Sequence, residues 1–549
     1  MQFVRALVLA GSTAFFVAGS ACVAAAEGPA GADATASVLA TATPYDRAVD
    51  PTTVAMRRAL AAAGTHGTFL NKRDAAAVAR YYEEQGYAPA WTTDAGLTDR
   101  ALQIIARIKQ ADTDGLNPSD YLTPPTSMRS ATPAELAHAD VVLSQAIVAY
   151  ARHAHAGRQD PAAISDSIGY EPHLPDPVAV LAGVAGADDP AAALASFNPA
   201  SPEFAALRAK LAEIRAMDRE PLPIVPPGAN LALGSVDPRV AILRQRLNVT
   251  EPTDTPNRFD EAVDLAVRGY QDSKGLSVDG IVGRGTLARL NADADDHVAT
   301  IIANMERWRW MPEDLGDYYV RVNVPNYNLD IYRDDAVVLT TRIIVGEPDN
   351  QTPIFSDEIE HVIVNPTWHV PASIAVKEML PEIRTNPYTA LAGFQVFANI
   401  NGQFQQIDPY RVDWWRVDMG LIQIKQPPGP QNALGSVKFM FPNRFSVYLH
   451  DTPTKNLFER DYRAYSHGCM RVMDPWGFAQ ALLSAEPAFT VDQLRDLVGG
   501  RERQVNLTNH IPVHVTYFTA WVDDDGALQV RDDIYGIDAR MQSALGLQS

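Results

Sequence analysis

The stretch VYLHDTPTKNLFERDYRAYSHGCMRV, Val447–Val472, gathers His450, His467, Cys469 and Arg471 into one short piece of chain. Phe445, Val447 and Leu449 alternate with Tyr448 and His450. That period of two predicts a strand with one apolar face, Tyr448 and His450 sharing the other and His450 at the tip. Cys469 follows after a polar loop, and Asp474 and Pro475 beyond it are good residues to begin a helix. A thiol becomes a strong nucleophile when a base takes its proton or a cation stabilises the thiolate. Two imidazoles are available, His450 across the loop and His467 just before the cysteine. Gly468 lets the backbone approach a substrate carbonyl and can free N–H groups for an oxyanion. Arg471 supplies a fixed positive charge suited to a carboxylate. Each feature alone is weak, since a His before Gly-Cys is often only packing. Together they describe acyl transfer through a thioester.

The isolation of the cysteine sharpens this. The 549 residues contain two cysteines, and Cys22 lies in the opening run MQFVRALVLAGSTAFFVAGSACVAAAEGPAG. Arg5, the apolar stretch Ala6–Gly19 and the small residues Ala24–Ala26 predict a signal peptide over 1–26. Gly19 stands where a lipoprotein box carries leucine, so Cys22 is not read as a lipid anchor. No later run reaches the roughly 18 apolar residues of a membrane span. The expectation is a soluble periplasmic protein without a transmembrane segment. Exported proteins normally use cysteines in pairs. Cys469 is therefore a buried filler, the reading residue type alone favours, or a nucleophile, the reading its neighbours favour.

The net charge of −20, from 46 Lys and Arg against 66 Asp and Glu, argues against a nucleic-acid partner. No metal or other cofactor is implied. One cysteine with scattered histidines lacks the spacing of a zinc site, and Gly283–Thr286 (GRGT) lacks the lysine of a phosphate loop. Asp112 and Asp114 beside Gly115 read as a helix-ending turn, because no closing Glu sits in register for calcium. His153 and His155 point to different helix faces.

The remaining organisation is multidomain α+β. Residues 27–50 read as a flexible leader. Residues 51–222 carry helical periodicity, with Thr98 and Thr132 as N-caps, and form a helical scaffold domain. A proline-rich linker covers 223–231. Residues 232–292 form a compact unit with three helical stripes, the first from Val240, Leu243 and Leu247, the second from Val263, Val267 and Tyr270, and the third from Thr286, Leu287 and Leu290. From His297 the pattern is strand-like, with Val320, Val322 and Val324 on one side, giving a mainly-β domain over 297–495. An insertion over 374–420 has helical and aromatic content, and insertions of that length are usually lids or binding elements. Residues 496–549 read as a C-terminal extension.

Two resemblances attach to these segments. Residues 232–291, with FD…AV…YQ…GL…DGIVG…T…LN, resemble the small three-helix peptidoglycan-binding module of bacterial cell-wall enzymes. The His, polar loop and Ser-His-Gly-Cys resemble the YkuD-type L,D-transpeptidase motif, with further matches in NPTWHVPASI (Asn365–Ile374) and QPPGPQNALGSVKFMFPN (Gln426–Asn443). With both helical parts, the chain resembles the larger YcbB-type subgroup. The resemblance implies Cys469 as nucleophile and His450 as general base, held by a backbone carbonyl. It also implies that His467 and Gly468 shape the oxyanion pocket with the Cys469 amide, that Ser466 braces the loop, and that Arg471 contacts the donor peptide. Many members carry Asn at that last position. The insertion corresponds to a substrate-capping element that Trp368, Tyr388, Trp414 and Trp415 would line, unless these are core, with Tyr448 beside the substrate. His369 reads as a surface residue. The implied reaction joins two peptidoglycan stem peptides, a donor and an acceptor, in a 3→3 cross-link. Attack by water would make the chain an L,D-carboxypeptidase, and attack by a protein lysine would make it an envelope-protein anchor. A degenerate catalytic unit would leave a wall-binding scaffold.

Overall fold

The computed structural model describes residues 50–63, 71–217, 223–274, 276–292, 297–484, 486–487 and 489–547. The signal peptide, Cys22 and the leader up to residue 49 lie outside the described residues. No helix among the described residues is long and apolar enough to cross a membrane.

The first part is helical because its apolar residues recur every three to four positions and its helices begin on strong caps. Thr98 accepts the Ala101 N–H, and Thr132 forms a reciprocal capping box with Glu135. The helix Pro133–Ala156 is central, and Tyr82, Trp91, Ile104 and Tyr150 pack in the core around it. Its buried Asp140 is matched by the Tyr82 hydroxyl at 2.5 Å, the Trp91 N–H at 2.8 Å and the Thr92 hydroxyl at 2.8 Å. Such pairing is what a buried carboxylate requires. Asp112 and Asp114 sit in a single 3₁₀ turn closed by Gly115 at φ 72°. The later helical residues Ile164, Phe204 and Leu207, with Ile168 in an isolated bridge to Ile354, leave this core and join that of the sheet described below.

The unit after the linker has helices Arg239–Arg246, Glu261–Ser273 and Arg284–Ala292. Val240, Leu243, Phe259, Val263, Val267, Val282 and Leu290 bury against one another in a core of their own. Gly280 sits at φ 72°, a conformation that strains L side chains, and a Cβ there would displace the Asp264 carboxylate, 2.3 Å away. Its N–H is held by the buried Gln271 side chain at 2.9 Å.

The mainly-β domain is a nine-stranded sheet built from β1 (Tyr318–Asn323), β2 (Asn328–Arg333), β3 (Ala336–Gly346), β4 (Phe355–Val364), β5 (Val437–Met440), β6 (Leu449–His450), β7 (Ala464–Ser466), β8 (Met470–Val472) and β9 (Arg503–Thr516). The spatial order is β7-β3-β8-β6-β5-β4-β9-β1-β2, and pairing of β2 with β3 closes the sheet on itself. The β2–β3 turn has Asp334 and Asp335 both at positive φ, 49° and 62°, the twist that a two-residue hairpin prefers. Val320, Val322, Ile343, Val362, Phe439, Leu449, Val472 and Val513 are all fully buried on the inner side. The helices Val298–Trp308 and Pro475–Leu483 contribute Ile301, Met305, Phe478 and Leu482 to the same core.

Two segments differ from the sequence-based boundaries. The segment read as a C-terminal extension supplies β9, which lies between β4 and β1 in the sheet. Its outer half has an exposed, polar alternation, and only Ile511 to Thr516 carry a dense buried pattern. The insertion begins before residue 374 and ends after 420. Trp368–His369 and Ile422–Gln426 pair with each other, and the second pairs with Gln395–Ile400, which pairs with Gln403–Ile407. This small sheet packs with the helical residues Leu380 and Ile383 around its own core of Leu391, Val396, Trp414 and Ile424. A two-residue strand such as Trp368–His369 leaves no period to read.

Candidate active site

Strand register decides which side chains meet. In the parallel pair β6–β8, Leu449 is opposite Met470 and His450 opposite Arg471. In the antiparallel pair β5–β6, Lys438 is opposite His450 and Phe439 opposite Leu449. Phe439, Leu449 and Met470 thus form a buried row facing the core. Alternation sends Lys438, His450 and Arg471 to the other face. One step earlier, the Met470 N–H donates to the Tyr448 carbonyl at 3.1 Å, so Tyr448 and Cys469 share that face as well.

His450 is 4% exposed. Its Nδ1 lies 2.5 Å from the Asp451 carbonyl oxygen. A carbonyl only accepts, so Nδ1 carries the proton and Nε2 is left as the basic nitrogen. Burial, reinforced by the Arg471 charge, pushes the His450 pKa down to about 3. Asp451 is held in turn by the Ser436 N–H at 2.9 Å and by Lys455 at 2.8 Å.

Cys469 is half-buried and packs against the sheet core. Burial pushes its thiol up to about 11; donation from the Tyr448 N–H and hydroxyl, and the charges of Lys438 and Arg471, act the other way. Burial thus favours the neutral form of each group. Such a thiol must lose its proton as it attacks, to a base on the same face.

The loop before the cysteine is tightly held. Gly468 has φ 106°, a conformation L side chains rarely adopt. The Ser466 hydroxyl donates to the Cys469 carbonyl, and the Glu347 N–H donates to the Ser466 carbonyl at 2.9 Å. The His467 imidazole is held by carboxylates. It is exposed, with Nε2 2.6 Å from Glu378 of the insertion and 3.7 Å from Glu347.

Asp474 caps the following helix by accepting the Gly477 N–H at 2.8 Å.

Residues 317–489 of this chain match the family model described as the L,D-transpeptidase catalytic domain. Residues 236–290 match the model described as "Putative peptidoglycan binding domain", and residues 76–211 match the scaffold domain model. The chain carries an L,D-transpeptidase catalytic domain of the YkuD type and a peptidoglycan-binding domain. A curated "Putative L,D-transpeptidase" of Haemophilus influenzae is 32% identical over 244 residues, 44% of this chain and 48% of that protein. The alignment thus spans about half the length of that relative. Among solved structures, an L,D-transpeptidase from Mycobacterium smegmatis is 11% identical, covering 36% of this chain and 58% of that one, with a TM-score of 0.19. An L,D-transpeptidase from Xylanimonas cellulosilytica is 15% identical, covering 53% and 99%, with a TM-score of 0.16.

Other residues around this face differ in how visible they are in the sequence. Lys438 was not singled out from the sequence, although its polar place in the strand VKFM marks it. Its ammonium lies 5.1 Å from the Tyr448 ring centre. Trp368 is half-buried, 6.2 Å from Phe394. Trp414 belongs to the core of the insertion, while Trp415 and Tyr388 are exposed, Trp415 near Arg384 and Tyr388 stacked on Tyr410. His369 is exposed. The described residues hold no group of three or more His, Cys, Asp or Glu that could bind a metal.

The His450 shift makes the fold acid-sensitive. In the unfolded chain an imidazole takes a proton below about pH 6.5, whereas folded His450 stays neutral to about 3. The unfolded state binds more protons in that window, so stability present above pH 6.5 is lost as pH falls toward 3, by up to about 4–5 kcal/mol from this group. His153, also pushed down to about 3 by burial, acts in the same direction. The melting temperature should fall between pH 7 and pH 4, and fall less in His450→Gln. Equal slopes in both proteins, measured by circular dichroism, would remove His450 from the account.

Proposed function

We propose that this protein is a periplasmic L,D-transpeptidase of the YcbB-type subgroup, forming 3→3 peptidoglycan cross-links through a thioester on Cys469. The observation that carries the reading is the single sheet face shared by Cys469, Tyr448, His450, Arg471 and Lys438, with His450 Nδ1 on the Asp451 carbonyl. The order of scaffold domain, peptidoglycan-binding domain and catalytic domain with its inserted lid supports the subgroup.

In the first half-reaction Cys469 Sγ attacks the carbonyl of the diamino acid, third in a donor tetrapeptide stem, as its proton passes to His450 Nε2. The tetrahedral oxyanion is met by backbone N–H groups at Gly468 and Cys469. The bond to the terminal D-alanine breaks, His450 returns the proton to the departing amine, and a thioester remains. In the second half an acceptor-stem amine attacks the thioester and gives its proton to His450, which hands it back to the sulfur. Arg471, with Lys438 nearby, attracts the stem's carboxylates. The insertion, joined to the loop through Glu378 and His467, limits water at the thioester.

Mass spectrometry after incubating the purified protein with disaccharide-tetrapeptides tests this reading. Cross-linked dimers that have lost one D-alanine are expected. Tripeptide alone would make the chain an L,D-carboxypeptidase. With a lysine-bearing envelope protein added, a tripeptide stem joined through its diamino-acid carbonyl to that protein, with D-alanine released, would make it an anchoring enzyme. No product and no covalent adduct with a carbapenem would leave a wall-binding scaffold.

A further inference from the structure

We infer that Thr352 is a positioning residue that aims the Cys469 N–H as an oxyanion donor; the inference rests on the acyl-transfer reading above. Thr352 is fully buried. Its hydroxyl donates to the Gly468 carbonyl at 2.9 Å and accepts the Gly346 N–H at 2.8 Å. Its own N–H donates to the Tyr535 hydroxyl at 3.1 Å, and that hydroxyl donates to the Gly346 carbonyl at 2.5 Å. Tyr535 is fixed further out, its N–H donating to Tyr517, whose hydroxyl donates to Asp533 at 2.7 Å. Gly346 has no space for a side chain, since a Cβ would meet the Asn350 carbonyl oxygen at 2.1 Å. The loop 346–352 is thereby a rigid support.

The Gly468 carbonyl and the Cys469 N–H belong to one peptide unit. In a trans peptide they point in opposite directions. A donor clamped on the oxygen therefore directs the N–H away from Thr352. Glycine at φ 106° has no Cβ to resist rotation of that peptide, so its orientation must be imposed from outside. Ser466 and Glu347 hold the carbonyls of the neighbouring units instead. Only a group that both donates and accepts can serve Gly468 and Gly346 together. Valine has the shape of threonine without either capacity, while serine keeps both.

The test compares two reactions of the same sulfur in the full chain. Imipenem acylates it: the sulfur bonds to the lactam carbonyl through an oxyanion, the lactam C–N bond breaks, and the nitrogen takes a proton. Iodoacetamide alkylates it at saturated carbon, displacing iodide with no oxyanion. In Thr352→Val, acylation followed by intact mass should fall about 100-fold, the loss seen on removing one oxyanion donor, while alkylation stays within about threefold. Thr352→Ser should recover acylation to within a few-fold. If Thr352→Val does not fold, Tyr535→Phe, which removes the outer brace, should lower acylation several-fold at unchanged alkylation. Acylation at the wild-type rate in the folded variants overturns the inference, as does an equal fall in both reactions. Failure of the wild-type protein to acylate while it alkylates normally overturns the acyl-transfer reading itself, and this inference with it.

Discussion

Cys469→Ala and Cys469→Ser are both expected to abolish cross-linked product while leaving the fold intact. The other cysteine, Cys22, lies in the segment read as a signal peptide, and with that segment removed Cys469 would be the one thiol left. Alanine removes the nucleophile. Serine keeps an oxygen, but one of far higher pKa and lower nucleophilicity than sulfur. A fall of at least about 10⁴-fold follows from losing a group that acts as one unit with its base. The structural cost is small, because the sulfur is half-buried and its neighbours Met470 and Leu449 hold the strands without it. Mass spectrometry of the products with a thermal melt of each variant checks both halves. Product at the wild-type rate from either one ends the nucleophile assignment.

Features written in local spacing were legible in the sequence. Val320, Val322 and Val324 alternate and are all buried. Thr98, Thr132 and Asp474 cap helices because the side-chain oxygen of each accepts from an N–H group three residues ahead. The three stripes of the 232–292 unit close on one core through Val240, Val263 and Leu290. The thiol, the glycine and the two imidazoles could be gathered because they are close in sequence. What could not be read is what long-range pairing brings in. Lys438 reaches the site through register with His450, and Thr352 through a loop more than a hundred residues before Gly468. The direction of His467 depends on Glu378 in the insertion. The apolar half of β9 is short and follows the exposed polar run Thr508, Asn509 and His510, so the segment reads as a tail.

That tail leads to the largest effect on stability. A chain ending at residue 495 is expected not to fold its catalytic domain. β9 is paired on both edges, with β4 from Arg503 to Val515 and with β1 from Val513 to Thr516. Its removal exposes two interior edges at once and leaves their N–H and C=O groups unpaired. It also removes Leu507, Ile511, Val513, Val515, Tyr517, Phe518, Tyr535, Ile537, Met541 and Leu545 from the core. At about 1.5–3 kcal/mol for each buried side chain, the loss is roughly 15–30 kcal/mol, against a net stability of about 5–15 kcal/mol for a typical domain. The support of Thr352 through Tyr535 disappears with it. The 232–292 unit has its own core and none of these contacts, so its helices should survive in the truncated chain. Limited proteolysis and near-ultraviolet circular dichroism separate the outcomes: degradation of 297–495 with a protected helical fragment is expected. A soluble truncated chain with wild-type aromatic dichroism and imipenem acylation would make the tail a true extension and the β9 pairing dispensable.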